Sequence, residues 1–513
     1  MTTSNEAVGG PVVRVAGGSP HRTDVSAVVD AAREATETAT VRETGPTGAD
    51  ALEPLLLVTV ANKTAFYATP SLDTVRNVIH AAESGKSADA LADGADAVVE
   101  SDGTRLPVPD EGPLRVGCRR VLGRCGWVNP TEPPTESVLD AVSDDSESVC
   151  TEIHRIGLLG RGRGDARADR PVAEGWATAR KTDGDTVLVV NANDADERNR
   201  TDSTLVEGDA GGVVDAAMAV AHLVEAEDVI MYAQTGSMAA ERLSAAASRY
   251  RDEYGDAPQV AVGPERYIAG EPTMALESLE GNDRLEARLR PPGPETHGLY
   301  GRPTVIHTPR TLLQVREAIL RPEEFDADDA DPGTRVVTVT GDVDSPATVE
   351  LTTGAPLRAA AAAVDRTETK MAIVGGQFGG VTRHLDHTLS APALSGANLG
   401  TEGVVELFGD DRCALATVGS RARFASEENC GRCVPCREGT TQLTDLLRDI
   451  YAGDYDDDTL RELTRTMRNT STCDFGRSAA RTVETAMAAF EAEFEAHTHG
   501  RCPTGQCDAQ AGQ

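Results

Sequence analysis

In the stretch SEENCGRCVPCREGT, residues 426–440, Cys430, Cys433 and Cys436 stand at C-x2-C-x2-C spacing. Thiolates three residues apart in a tight loop can face one centre from different directions. Gly431 permits a tight turn, and Pro435 is expected to hold the chain extended beside it. Arg432 and Arg437 supply positive charge next to an anionic centre. The run GTTQLTDLLRDIYAG (439–453) predicts a helix with Leu443, Leu446, Leu447 and Ile450 on one face. A second amphipathic helix carries Val483, Met487, Phe490 and Phe494. Between them lies Cys473, in TSTCDFG. The helices bracket the cysteines and can shield a metal from water. A cubane cluster takes four thiolates, commonly from such a triple plus one remote cysteine, whereas structural zinc usually takes two separated pairs. The spacing favours a [4Fe–4S] cluster on Cys430, Cys433, Cys436 and Cys473 over zinc, with uncoordinated thiols as the remaining alternative.

The rest of the chain is too long for one core. Cores stop growing near ~250–300 residues, so the 513 residues predict several domains. A hydrophobic content of 39% argues against wholesale disorder. No apolar run approaches the ~20 residues of a membrane-spanning helix, and PLLLVTVA (54–61) is strand-sized. The start, MTTSNEAVGG, has no basic stretch followed by an apolar one, so no signal peptide and a cytoplasmic location are expected. The net charge of −34, from 83 acidic and 49 basic residues, opposes nucleic-acid binding. Only four of the basic residues are lysine. Acidic runs such as DADDADPG (326–333) and YDDDT (455–459) read as solvated surface. Acids spread along the whole chain suit a high-salt cytoplasm; an acidic docking face is the alternative.

Six cysteines lie outside the cluster set. Cys118, Cys125, Cys150 and Cys413 read as buried small hydrophobes. Cys502 and Cys507, with His497 and His499, offer four ligands for a small metal site; free thiols or a redox-labile pair are the other reading. Trp127 and Trp176 read as packing anchors.

The cysteine segment resembles the cluster-binding domain of the NADH-binding flavoprotein subunit of NADH–quinone oxidoreductase (respiratory complex I), with relatives in NAD-reducing hydrogenases and formate dehydrogenases. That family carries E-S-C-G-x-C-x-P-C-R-x-G and, some forty residues on, T-S-x-C; Cys430, Gly431, Cys433, Pro435, Cys436, Arg437, Gly439 and Cys473 match. RRVLGRCGWVNP (119–130), GEPTMALESLEG (270–281) and GLYGRPT (298–304) resemble further family blocks. GTRVVTVTGDVDSPATVELTTGAPLRAAA (333–361) alternates as strands around a GD turn and resembles the family's β-grasp domain. Residues 11–100 read as βαββα, and FYATPSLDTVRNVIHAAESGK (66–86) resembles the relatives' thioredoxin-like extension. With no four-cysteine set there, a cluster-free version is expected. The tail FEAEFEAHTHGRCPTGQC (490–507) is similar to a C-P-x-G-x-C ending in the relatives.

The resemblance implies a multidomain α/β and α+β fold: a thioredoxin-like region (1–110), an FMN/NADH-type α/β domain (111–330), a β-grasp domain (331–420), a helical [4Fe–4S] domain (421–500) and a cysteine-containing tail (501–513). It also implies FMN on a glycine-rich loop, G-R-G-G-x-G-F-P-x-G-x-K-W. Here that stretch is GLLGRGRGDARADRPVAEGWATAR (157–180). Gly160, Arg161, Gly162, Gly164, Gly175 and Trp176 match; the Phe and Lys are absent, and Asp165 and Asp169 intrude. Carboxylates beside a phosphate are unfavourable unless Arg161, Arg163, Arg167 or Arg170 offsets them. The strand TVLVV (186–190) runs into NANDADERNRTDSTLVEGD (191–209), where Asn191, Asn193, Asp194, Asp202 and Glu207 align with the family without a gap. Where the family has G-E-Y, VIMYA (229–233) leads to Gln234, Thr235 and Gly236. Where it has V-N-N-V-E-T, the chain has Val305, Ile306, His307, Thr308, Pro309 and Arg310. His307 and Thr308 thus join the flavin-binding candidates, a hydrogen-bonded structural His307 being the alternative.

The implied function is an electron-transfer subunit. NAD(P)H reduces FMN, and FMN passes single electrons to the [4Fe–4S] cluster and on to iron–sulfur partner subunits. The complex is expected to touch a membrane only peripherally. The competing reading is a non-catalytic, cluster-bearing scaffold that has lost flavin and NADH binding, favoured by the missing Phe, Lys and Glu–Tyr.

Overall fold

The computed structural model describes residues 10–84, 91–92, 94–366 and 368–507. The start read for a signal peptide (1–9), the end of the 66–86 segment and the last six residues lie outside them. Three sheets and a helical unit follow in chain order.

The first sheet holds β1 (Val12–Ala16), β2 (Thr40–Thr44), β3 (Leu55–Val60), β4 (Lys63–Ala68) and β5 (Ala97–Glu100), in the order β2-β1-β3-β4-β5. β1 and β2 are parallel and the other pairs antiparallel. Strand alternation sends Leu56 and Val58 against helices Arg22–Ala35 and Leu72–Glu83, and Leu55 and Leu57 against Leu106, Leu114 and Trp127. Both faces are therefore buried, which is why PLLLVTVA lacks polar alternation. The observed order is βαβββαβ, two strands more than the three of the βαββα reading, and the last of them, β5, pairs with β4.

The second sheet is fully parallel, with β6 (Thr186–Ala192), β7 (Ala226–Gln234), β8 (Gln259–Gly263) and β9 (Thr304–His307) ordered β8-β7-β6-β9. Every residue of β6 is buried. Helices Thr201–Leu223, Met238–Tyr254 and Pro309–Leu320 share its largest core. In open parallel sheets ligands sit beyond the carboxyl ends of the strands, here the loops after Ala192 and His307.

The third sheet combines β10 (Thr334–Gly341), β11 (Ala347–Thr352), β12 (Met371–Val374), β13 (Gly380–Thr382) and β14 (Val404–Phe408), in the order β11-β10-β14-β12-β13. β10 and β11 form the expected hairpin around the GD turn, where Gly341 adopts φ +106°. β10 and β14 run parallel.

Five helices close the described chain: Ala414–Glu428, Val434–Asp449, Asp457–Thr470, Asp474–Ser478 and Arg481–Thr498. The two predicted helices exist, but the first begins at Val434. Pro435 therefore does not extend the chain; it sits in the first helical turn, where its fixed φ suits a helix and no N–H is needed. Of the two acidic runs, YDDDT lies at the surface as read, and only the Asp331 end of DADDADPG departs from the reading. Asp456 caps Asp457–Thr470 by accepting from Thr459 N at 3.0 Å. Asp331 is fully buried between Arg161 and Arg335.

Candidate metal centre and nucleotide cradle

The helix Ala414–Glu428 ends where Asn429 donates to the carbonyls of Ala425 and Ser426 at 3.0 Å and accepts from Gly431 N at 3.0 Å. Gly431, at φ +76°, turns the chain back. Cys433 then caps Val434–Asp449, which puts Cys436 in its first turn, while Cys473 starts the short helix Asp474–Ser478. These local devices bring both segments to one place: a Cβ on Gly476 would stand 2.9 Å from that of Cys436. Burial, then the neighbouring Cys433, Cys473 and Cys430, push the Cys436 thiol up. Burial, then Glu271, push Cys473 up to about 12. At Cys433 burial is outweighed by hydrogen bonds to Thr472 and Cys436, and the thiol lies below its usual value. Cys436 is buried and the other three are half-buried. Arg432 donates to Ala287 O at 2.7 Å, and Arg437 to Gly431 O at 2.9 Å, so both arginines brace the loop. Cys436 lies in the core of this helical unit with Cys430, Cys433 and Cys473 packed against it, and four thiols are the donor set that a cubane cluster takes.

A bridge of aromatic rings leads away from Cys473. Phe475 packs edge-on against Phe378 and Tyr267, with ring centroids 4.9 and 5.9 Å apart. Over the Tyr267 ring lies the Arg163 guanidinium, 3.8 Å from the centroid. Arg163 belongs to the glycine-rich loop, so the loop and the cysteines are joined through one packed cluster.

The loop itself is densely occupied. Arg163 donates to Tyr267 O at 2.7 Å and to the Asp194 carboxylate at 3.1 Å. The Asp165 carboxylate sits at the N-terminus of helix Pro309–Leu320. It accepts from His307 Nδ1 at 2.9 Å and Thr311 Oγ1 at 2.7 Å, with Thr308 N at 3.4 Å. That is an anion seat made by the ring N–H, one hydroxyl, the Thr308 N–H and the helix dipole; Pro309 has no N–H, and those of Arg310 and Thr311 are taken by Asp202 and Thr308. His307 accepts from Trp176 Nε1 at 2.8 Å through Nε2, which leaves the Nδ1 proton for Asp165. Asp169 pairs instead with Arg335 at 2.8 Å.

The other predicted positions divide. Arg161 is buried, bound to Asp331 and to Pro332 O. Burial lowers its pKa to about 10. Gly162, at φ +81°, faces the Arg310 guanidinium, 2.8 Å from where a Cβ would stand. Gly160 and Gly164 shape the same turn. Asn191 ties the turn in place by donating to Gly164 O and Gly270 O at 3.0 Å. Thr308 donates to Arg161 O at 2.7 Å. Asp202 holds Arg310 through contacts of 3.0 and 2.7 Å. Glu207 faces away from the loop and binds Ser19 of the first sheet's layer. Unpaired, buried Asn193 Oδ1 and Asp196 Oδ2 mark the polar side that stays available. Beyond it opens a cavity of about 1110 Å³, lined by Asp196, Arg198, Tyr267, Gln377, Arg421 and Phe424 among others. None of the predicted flavin residues lines this cavity. Amides and carboxylates at a strand end are the donor set for a flavin's ring edge and ribityl chain, and a phosphate would take the helix terminus only if Asp165 yields it.

Sequence reasoning missed two features. Arg163 and Arg310 appear as loop charges in the sequence, and only the fold shows both inside the cradle. Cys413 is buried, as read, and the feature that was missed is its company: its Sγ lies 3.4 Å from His497 Nε2 and 3.6 Å from Cys507 Sγ. His499 is not part of this group, and no local spacing could signal a neighbour as far upstream as Cys413.

The comparisons agree with this geometry. Residues 153–317 match the Nuo51 FMN-binding domain, and residues 416–497 match the NADH-ubiquinone oxidoreductase-F iron-sulfur binding region. The second NADH-quinone oxidoreductase F-subunit of Rhizobium meliloti (strain 1021) is 30% identical over 372 residues, 67% of this chain and 87% of that protein. The NADP-reducing hydrogenase subunit HndC of Solidesulfovibrio fructosivorans is 26% identical over 432 residues, 77% of this chain and 86% of that one. The fold is similar to that in a crystal structure of NAD+-reducing [NiFe]-hydrogenase in the air-oxidized state, with a TM-score of 0.64 and 24% identity over 96% of this chain and 86% of the other. The chain belongs to the family of the NADH-quinone oxidoreductase F-subunits.

Proposed function

We propose that the chain is an iron–sulfur electron-transfer subunit of an NADH dehydrogenase-type oxidoreductase, in which electrons from NADH reach a [4Fe–4S] cluster by way of FMN. The observation that carries this is the packing of Cys430, Cys433 and Cys473 against the core that holds Cys436, in a segment that matches the iron-sulfur binding region, together with the match to the FMN-binding domain. These four are the proposed cluster ligands. When bound, FMN supplies the conversion of a two-electron hydride donor into single electrons that a cluster can accept. The chain's own residues position and insulate. Phe475, Phe378 and Tyr267 exclude water between cradle and cysteines. Arg432 and Arg437 hold the cluster loop and offset its negative charge. Asn193, Asp194 and Asp196 offer the polar edge for the flavin.

The domains proposed for this function span 1–110, 111–330, 331–420, 421–500 and 501–513. The β2-β1-β3-β4 order supports a thioredoxin-like first unit, and the β11-β10-β14-β12-β13 order supports a β-grasp third unit. Iron–sulfur subunits of a larger complex are the proposed partners. No helix among the described residues is long and apolar enough to cross a membrane. The spread of acidic residues supports a cytoplasm rich in salt.

A second reading is favoured by one specific observation, the Asp165 carboxylate in the anion seat. In it the chain keeps the cluster and binds no flavin. Anaerobic purification in high salt, followed by an absorbance spectrum and flavin release, separates the two. Released FMN whose absorbance bleaches with NADH supports the first reading. Broad iron–sulfur absorbance without flavin supports the second, and zinc without iron contradicts both.

A further inference from the structure

We propose a second metal site, independent of the cluster, in which Cys413, His497, Cys502 and Cys507 bind one zinc ion. Their ligand atoms all lie within 4.8 Å of one another. The closest separations are 3.4 Å from Cys413 Sγ to His497 Nε2, 3.5 Å from Cys507 Sγ to His497 Nε2, and 3.6 Å between Cys413 Sγ and Cys507 Sγ. Tetrahedral zinc, with Zn–S of ~2.3 Å and Zn–N of ~2.0 Å, requires ligand–ligand edges of roughly 3.5–3.8 Å. The three spacings among Cys413, His497 and Cys507 match these edges, and Cys502 Sγ lies within 4.8 Å of all three.

Three further features point the same way. His497 Nδ1 donates to Glu493 O at 2.7 Å, which fixes the tautomer and leaves the Nε2 lone pair directed at the sulfurs. Cys413 caps helix Ala414–Glu428, its Sγ accepting from Ala416 N at 3.4 Å, which fixes the direction of the sulfur. Glu493 and Gln506 support the same turn from either side, accepting from Ala414 N at 2.7 Å and Cys413 N at 2.6 Å. Cys413, Cys502 and His497 are buried, and Cys507 is half-buried beside Tyr451.

A disulfide accounts for this arrangement less well. Three cysteines converge, so one pair would leave a buried third thiol and a histidine nitrogen oriented toward nothing. Three thiolates and one imidazole in a tetrahedron select zinc among common ions. Its role follows from position. The ion ties the segment after His499 to the end of helix Arg481–Thr498 and to the start of Ala414–Glu428, whose far end delivers Cys430.

The test is metal analysis of the full-length chain, purified anaerobically from zinc-containing medium without chelators, with X-ray absorption at the zinc edge. About one zinc per chain with three sulfur neighbours and one nitrogen neighbour is expected, alongside cluster iron. Cys507→Ser and Cys502→Ser should each lose the zinc, while Cys433→Ser keeps it. Absence of zinc from the wild-type chain would overturn the site. So would a disulfide among Cys413, Cys502 and Cys507 in non-reducing mass spectrometry, or zinc that survives Cys507→Ser but disappears in Cys433→Ser.

Discussion

The Asp165 carboxylate and the His307 ring meet at 2.9 Å with both side chains fully buried, at the N-terminus of the helix that would receive a phosphate. The chain supplies its own anion at this seat. A phosphate binding at this terminus would displace a carboxylate already held by an imidazole N–H and the Thr311 hydroxyl.

Asp165→Ala should open the seat. Removing a negative charge at a helix terminus is worth up to ~2 kcal/mol to an incoming anion, so FMN affinity should rise tenfold or more. The same change strands the buried His307 N–H and should lower stability by about 1–3 kcal/mol. Flavin fluorescence titration and denaturant unfolding measure the two effects. Unchanged FMN affinity would mean that the phosphate does not use this terminus.

Cys433→Ser should abolish the paramagnetic signal of the reduced cluster and remove most of the iron, because a cubane needs its fourth thiolate. Low-temperature electron paramagnetic resonance and iron analysis check this. A signal unchanged in shape and intensity would reject the assignment of Cys433.

What the sequence revealed and what it hid follow from range. Cys430, Cys433 and Cys436 are local, and the helices around them have strong periodicity, so this centre was legible. The parallel strand TVLVV and the GD hairpin were legible for the same reason. The partners of Asp165 were not: His307 lies 142 residues away, and the sequence offered nearby arginines as its counterions instead. Pro435 was misread because proline suits an extended segment and a first helical turn equally well, and only the cap at Cys433 decides. Asp331 looked solvated within an acidic run, yet tertiary contacts with Arg161 and Arg335 bury it.

Glu53 predicts a pH effect on stability. Its carboxylate is 2% exposed and accepts from Thr47 N at 2.7 Å and Gly18 N at 2.9 Å, but burial wins and raises its pKa from 4.5 to about 7. Between about pH 4.5 and 7 the unfolded chain has lost this proton and the folded chain keeps it. The unfolded state binds fewer protons, so this group's contribution to stability falls as pH rises through that window and levels off above it. The loss is on the order of 3 kcal/mol. Glu53→Gln has no proton to release and should flatten that part of the profile, measured by denaturant unfolding at fixed high salt. Parallel wild-type and variant profiles would contradict the argument.

Asp202 and Arg310 set the last test. Asp202 holds the Arg310 backbone N and guanidinium, with both side chains 4% exposed, and Arg310 reaches on to Glu402 O at 2.6 Å. Removing one member of a buried ion pair leaves an unpaired charge and costs about 3–5 kcal/mol, whereas removing both costs less than the sum. Asp202→Asn should therefore destabilise the chain strongly, and Asp202→Asn with Arg310→Met should recover much of the loss. If Asp202 instead serves mainly to meet a flavin, the single variant should lower FMN affinity and leave the unfolding free energy of the flavin-free chain nearly unchanged. The double-mutant cycle distinguishes these cases, because only the ion-pair role produces a coupling energy between the two positions in unfolding.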